Sequence, residues 1–115
     1  MSITRIFANL SCRDLATSTR WFAAVFGREP DRNPMTGLHE WDRGDAGLQL
    51  YEKLEDAGRG TLTLIVDDIH EERRRLSDAG LAVTEIEPAD YTTIMRLRDP
   101  DGNLVVLAQL NEGDG

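Results

Sequence analysis

Within its 115 residues the chain repeats itself. At an offset of 54, "FANLSCRDLATSTRWF" from Phe7 lies over "TLTLIVDDIHEERRRL" from Thr61. Each copy opens on a short alternating run, reaches an Asp followed by Leu or Ile (Asp14-Leu15, Asp68-Ile69), and then turns to helical spacing. In the first run Ala8, Leu10 and Cys12 share one face, and Phe7, Asn9 and Ser11 the other. In the second, Leu62, Leu64 and Val66 oppose Thr61, Thr63 and Ile65. Period two is the signature of a strand with one face toward a covering layer. Such a repeat in a chain of single-domain length means two packed copies of one strand-helix unit.

Asp14 and Asp68 stand where a side chain accepts from the free N–H groups of a helix's first turn. The first helix is expected to run to about Phe26, with Leu15, Phe22 and Phe26 inward, and to stop at Gly27. The second runs to about Ala79, with Ile69 and Leu76 inward, "EERRR" solvated, and a stop at Gly80. His70 in its first turn reads as an exposed helix residue. After each helix come further strands. They are "GLHEWDR" and "GLQLYE" in the first half, and "LAVTEIE", "TTIMRLR" and "NLVVLAQL" in the second. Asp99-Pro100-Asp101-Gly102 joins the last two, with Pro100 presetting φ and Gly102 supplying a positive φ. Residues 27–37 read as a loop, so the first strand after helix one is faint. The domain organisation is one domain over 1–115: module 1 about 3–52, linker 53–60, module 2 about 61–110, and a frayed tail 111–115. Each module is βαβββ, and two side by side make an α+β fold, a half-open eight-stranded cup with helices outside.

Composition narrows the function. Acidic residues number 21 against 13 basic ones, a formal charge of −8. Nucleic acid and anionic membrane are therefore not expected partners, because both are approached through a basic footprint. No apolar run approaches a membrane span, and the N-terminus lacks a signal-peptide core, so the expected location is the cytoplasm. The single cysteine, Cys12, excludes an intramolecular disulfide and reads as a buried thiol. There is no P-loop, no G-x-S-x-G and no dinucleotide fingerprint.

The tandem plan, with "CRDLATSTRWFAAVFG" after the first strand and "RDPDGNLVVLAQ" at the last hairpin, resembles the vicinal oxygen chelate superfamily. That group holds glyoxalases, extradiol dioxygenases, fosfomycin-inactivating enzymes and bleomycin-binding resistance proteins. The likeness spans about residues 3 to 110. In its metal-dependent members a His opens the first strand of each half, and a Glu or similar ligand stands in the last strand of each. Carried onto this chain, those places fall on Phe7, Thr61, Gln49 and Val106. None is a carboxylate or imidazole, and a one-residue slip brings only Ile6, Ala8, Gly60, Leu62, Val105 and Leu107. The resemblance therefore implies the cup without its metal: no metal ligands, no cofactor and no catalytic residue are assigned. His39, Glu40, Asp42 and Glu52 remain as scattered donors, and "HEWD" is not a helical zinc signature.

The expected ligand-binding residues are Phe7, Asn9, Trp41, Gln49, Tyr51, Thr61, Thr63, Met95 and Val106, a mixture of apolar and neutral polar groups suited to a small molecule. Two parities stay open. With three residues in the 44–46 loop Trp41 enters the cup, and with two Glu40 does; likewise either Met95 or Arg96 reaches in. Plain core packing is the competing role for Phe7 and Val106. The expected function is a metal-free binding protein, a homodimer, that holds a cationic or aromatic small molecule. The alternatives are a lyase, isomerase or dioxygenase with a non-standard site, and a structural or regulatory dimer without ligand.

Overall fold

The computed structural model describes residues 2–111. Two βαβββ units follow one another. The first is β1 (Ile6–Cys12), α1 (Leu15–Phe26), β2 (Arg32–Met35), β3 (Leu38–Arg43) and β4 (Ala46–Glu52). The second is β5 (Thr61–Ile65), α2 (Ile69–Asp78), β6 (Glu87–Pro88), β7 (Thr92–Arg98) and β8 (Leu104–Leu110). Each unit forms a four-stranded sheet, in the orders β1-β4-β3-β2 and β5-β8-β7-β6. The first strand of each pairs parallel with its last, Asn9 beside Gln49 and Thr63 beside Val106. A parallel pair needs a long crossover, and the helix with two strands supplies it. The sheets meet along β1 and β5, which are in contact but share no ladder.

Both helices cover the same side. Ala8, Leu10, Cys12, Leu48 and Leu50 from one sheet, and Leu62, Met95, Leu97, Val105 and Leu107 from the other, close one core with Phe22, Val25, Ile69 and Leu76. Arg75 of α2 joins the helices directly, donating to the carbonyls of Ala24 (2.8 Å) and Val25 (2.6 Å) at the end of α1. Gly27 ends α1 at φ 72°, the left-handed conformation that favours glycine.

The helix starts are asymmetric. Asp68 caps as expected, accepting from the Glu71 N–H at 3.1 Å. Asp14 does not: its carboxylate takes the Thr17 hydroxyl at 2.6 Å instead. The Leu15 N–H is met by Glu52 (2.9 Å) at the end of β4, as the Ile69 N–H is met by Gln109 (2.8 Å) near the end of β8. The closing strand of each unit thus holds the start of its helix.

Three segments depart from expectation. The 27–37 loop contains β2, because Arg32 pairs with Glu40 in the ladder and its side chain grips the same strand. The 81–87 strand shrinks to Glu87–Pro88. There the Thr84 carbonyl accepts from Arg73 of α2 (2.8 Å) and the Thr84 hydroxyl donates to the Arg96 carbonyl (2.6 Å), so side chains replace the ladder while Leu81, Val83 and Ile86 still pack on the core. Asn111 is not frayed: its N–H donates to the Tyr91 carbonyl at 3.0 Å and its amide reaches the Ala89 carbonyl. The rest of the expected tail, 112–115, lies outside the described residues. The 53–60 linker carries one 3₁₀ turn, Leu54–Asp56.

The turn before β8 clasps the two units. Asn103, wholly buried, donates to the Ser11 carbonyl (3.0 Å) and to Asp99 (2.8 Å), and accepts from the Gly60 N–H (2.8 Å). Asp101 accepts from the Arg13 N–H (2.9 Å), the Arg13 guanidinium (3.1 Å) and the Ser18 hydroxyl (2.9 Å). Burial pushes the Asp99 carboxyl above its ordinary range, and the amide groups of Asn103 and the Asp101 N–H partly offset this by donating to it.

Candidate ligand-binding face

The side of each sheet turned away from the helices carries the polar residues. On the first sheet the row is Asn9, Gln49, Glu40 and Arg32, side by side on β1, β4, β3 and β2. The Gly44-Asp45 turn has two residues, since Arg43 pairs with Ala46. That settles the parity: Glu40 lies opposite Gln49, on the open face. Trp41 points the other way. It is completely buried against Phe22 and Phe26, with its indole N–H donating to the Arg28 carbonyl at 3.0 Å. On the second sheet Arg96 lies opposite Val106, and Met95 is completely buried in the core. The expectation that Trp41 and Met95 line the cup is thus corrected, and Glu40 and Arg96 stand in their places.

The polar row is wired together. Asn9 donates to Gln49 (3.3 Å), Gln49 donates to Glu40 (2.7 Å), and Arg32 donates to Glu40 (2.8 Å). Asp42, two residues on along β3, takes Arg32 as well, and Arg5 at 3.0 Å. Glu40 is only 8% exposed, so these donors decide its charge. The Gln49 amide, then Arg32, hold its carboxyl below the usual range. Arg32 does the same for Asp42, and the two acids raise the Arg32 guanidinium further still. The charges on this face are already paired inside the protein.

Phe7 lies beside Gly47, and its ring covers it: a Cβ built on Gly47 would stand 2.6 Å from that ring. The ring also carries Arg5 over it at 5.7 Å. Tyr51 lies beside Ser11, and Thr61 and Thr63 are exposed next to Leu104 and half-buried Val106. Phe7, Asn9, Gln49 and Tyr51 therefore share the open face of the first sheet, and Thr61, Thr63 and Val106 that of the second. The residue that sequence reasoning passed over is Arg32, hidden in an expected loop; Asp42, named there only as a scattered donor, is its partner on this face. The two-residue turn was the signal that would have ranked Glu40 above Trp41.

The metal-dependent pattern does not fit this face. Phe7 and Val106 offer no donor atom, Thr61 and Gln49 only neutral oxygens, and the carboxylates present are held by guanidinium groups. Among the described residues no three His, Cys, Asp or Glu side chains gather as a metal-holding group.

The architecture is that of the paired-βαβββ fold. The family model of the glyoxalase-like domain matches residues 6–108, and the chain belongs to that family, within the vicinal oxygen chelate superfamily. The chain superposes on a glyoxalase/bleomycin resistance protein from Catenulispora acidiphila with a TM-score of 0.85 at 25% identity, covering 93% of this chain and 98% of that one. An antibiotic binding protein from Streptomyces sp. CB03234 gives 0.82 at 21% identity, covering 96% and 99%. A lactoylglutathione lyase from Agrobacterium tumefaciens gives 0.76 at 21%, covering 90% and 91%. A comparison with curated protein sequences gives no match.

Proposed function

We propose that this chain is a metal-independent small-molecule-binding protein that holds a cationic or aromatic ligand without transforming it. One observation carries the reading. Where metal-dependent relatives place ligands, this face has Phe7, Gln49, Thr61 and Val106, and its acids are neutralised by Arg32 and Arg5. What remains for a ligand is apolar shape at Phe7 and Val106, with neutral anchors at Asn9 and Gln49. The net charge of −8 favours the approach of a cation from a distance, while paired acids leave contact to shape and hydrogen bonds. The similarity to an antibiotic binding protein supports ligand capture as the role. Enzyme chemistry by Glu40 is disfavoured, since a carboxylate held below its usual range is a poor proton acceptor.

The same reading makes the working form a cytoplasmic homodimer. Thr61, Thr63 and Ile65 are exposed in the single chain, Ile65 at 63%, and a second copy would cover them. Sedimentation at micromolar concentration should give a dimer, and a monomer there would contradict this part.

The test is a thermal-shift screen of chelator-treated protein against cationic antibiotics and small aromatic metabolites, with and without added zinc, nickel or manganese. A binder raises apparent stability by mass action. The reading expects at least one compound to raise the midpoint without metal, and no ion to do so alone. Stabilisation by an ion at about one per chain would overturn it.

A further inference from the structure

On the opposite side of the sheets, where α1 ends at Phe26, the core is not closed. A crevice of about 230 Å³ opens there, walled by Ala8, Phe26, Trp41, Leu48, Leu62 and Leu64. Ala8, Trp41, Leu48, Leu62 and Leu64 face the helices, which sets the crevice apart from the Asn9–Gln49–Glu40 row, while Gly47 and Thr63 line it from the open-face parity. It is continuous with a wider cleft of about 420 Å³ toward α2, with which it shares Phe26, Arg43, Thr63 and Leu64. Arg43, the last residue of β3, stands at the mouth of both.

The two arginines here differ. Arg75 is committed to the Ala24 and Val25 carbonyls and to Glu72 at 2.8 Å. Arg43 makes no ion pair and no side-chain hydrogen bond among the described residues. Asp67, Asp68, Glu71 and Glu72 line a shallower cleft on its outer side, yet none pairs with it. Asp68 is engaged as the α2 cap and Glu72 with Arg75. An uncommitted guanidinium thus stands over an apolar hole.

We propose that this crevice is a second ligand site, distinct from the open face, that takes a small aromatic carboxylate. An apolar cavity of about 150 Å³ is enough to accept a benzene ring, so the space here admits a ring with a short substituent. A guanidinium receives a carboxylate with two parallel N–H bonds, which fixes the acid end at Arg43 while the ring enters toward Trp41 and Leu62.

The experiment titrates Trp21→Phe protein with benzoate, so that the remaining tryptophan, Trp41, reports from the crevice wall. The expected result is a saturable fluorescence change. Benzyl alcohol, which keeps the ring and loses the charge, should bind at least tenfold more weakly. Arg43→Gln, a surface change, should cost benzoate the same tenfold, while the exposed Arg59→Gln should cost nothing. No saturable binding, equal affinity for benzoate and benzyl alcohol, or indifference to Arg43→Gln would each overturn the site. So would benzoate binding that Gln49→Leu abolishes and Arg43→Gln spares, because that would place the ligand on the open face.

Discussion

Gln49 donates its side-chain N–H to one oxygen of the Glu40 carboxylate at 2.7 Å, across the β3–β4 ladder, and with Arg32 on the other oxygen holds a nearly buried acid in its charged form. Removing the donor while leaving the acceptor is the costly direction. Gln49→Leu should destabilise the chain by about 1–3 kcal/mol in urea denaturation. Gln49→Glu should cost more, because it sets two carboxylates side by side. A Gln49→Leu protein as stable as the parent would mean that Glu40 does not depend on this bond.

The same bond gives a pH dependence with a definite sign. The folded Glu40 carboxyl lies below its ordinary value of 4.5, so its stabilising share is present above that pH and is lost as pH falls through the folded value. Asp99 runs the other way. Its folded pKa is raised, so its share is full at low pH and is lost as pH rises. The clean observable is therefore a difference. Parent minus Glu40→Gln stability should be largest near neutrality and shrink as pH falls below about 4.5. A difference that stays constant from neutral to acid pH would contradict the assignment.

This row also marks what the sequence could and could not tell. The repeat located both helices, because Asp14-Leu15 and Asp68-Ile69 sit at matching places and each helix is stopped by a glycine, Gly27 or Gly80. The split between Ala8, Leu10, Cys12 and Phe7, Asn9, Ser11 needed only period two. The parity of β3 depended on one residue in the Gly44-Asp45 turn, and composition does not fix that count. β2 was illegible for another reason: "RNPM" has neither alternation nor β-branched residues, and Arg32 holds it in place by gripping Glu40 and Asp42.

The turn before β8 should be the most sensitive polar point in the fold. Asn103→Leu leaves the Gly60 N–H and the Ser11 carbonyl without partners and removes a donor from Asp99. Each buried group left unpaired costs about 1–3 kcal/mol, so the total should exceed about 2 kcal/mol. Arg98→Gln, which removes one exposed bond to the Gly102 carbonyl, should cost less than about 0.5 kcal/mol. Equal losses would show that the two units are not held together at Asn103.

Cys12 should be chemically silent in the folded chain. It is fully buried, and burial, with the nearby Asp101 charge, pushes its thiol up to about 11. Native protein should resist a thiol reagent at neutral pH, and urea-unfolded protein should be labelled quickly. Labelling at similar rates in both states would mean that β1 opens far more readily than its packing implies.

Capture at the open face without a metal is tested most directly by calorimetric titration of chelator-treated protein. The titrant is the compound that stabilises the protein most in the screen, run against the parent and Gln49→Leu. The predicted result is saturable binding that added manganese or zinc leaves unchanged and that Gln49→Leu weakens about tenfold, the equivalent of about 1.4 kcal/mol. Binding that requires the divalent ion, or that is indifferent to Gln49→Leu, would contradict it.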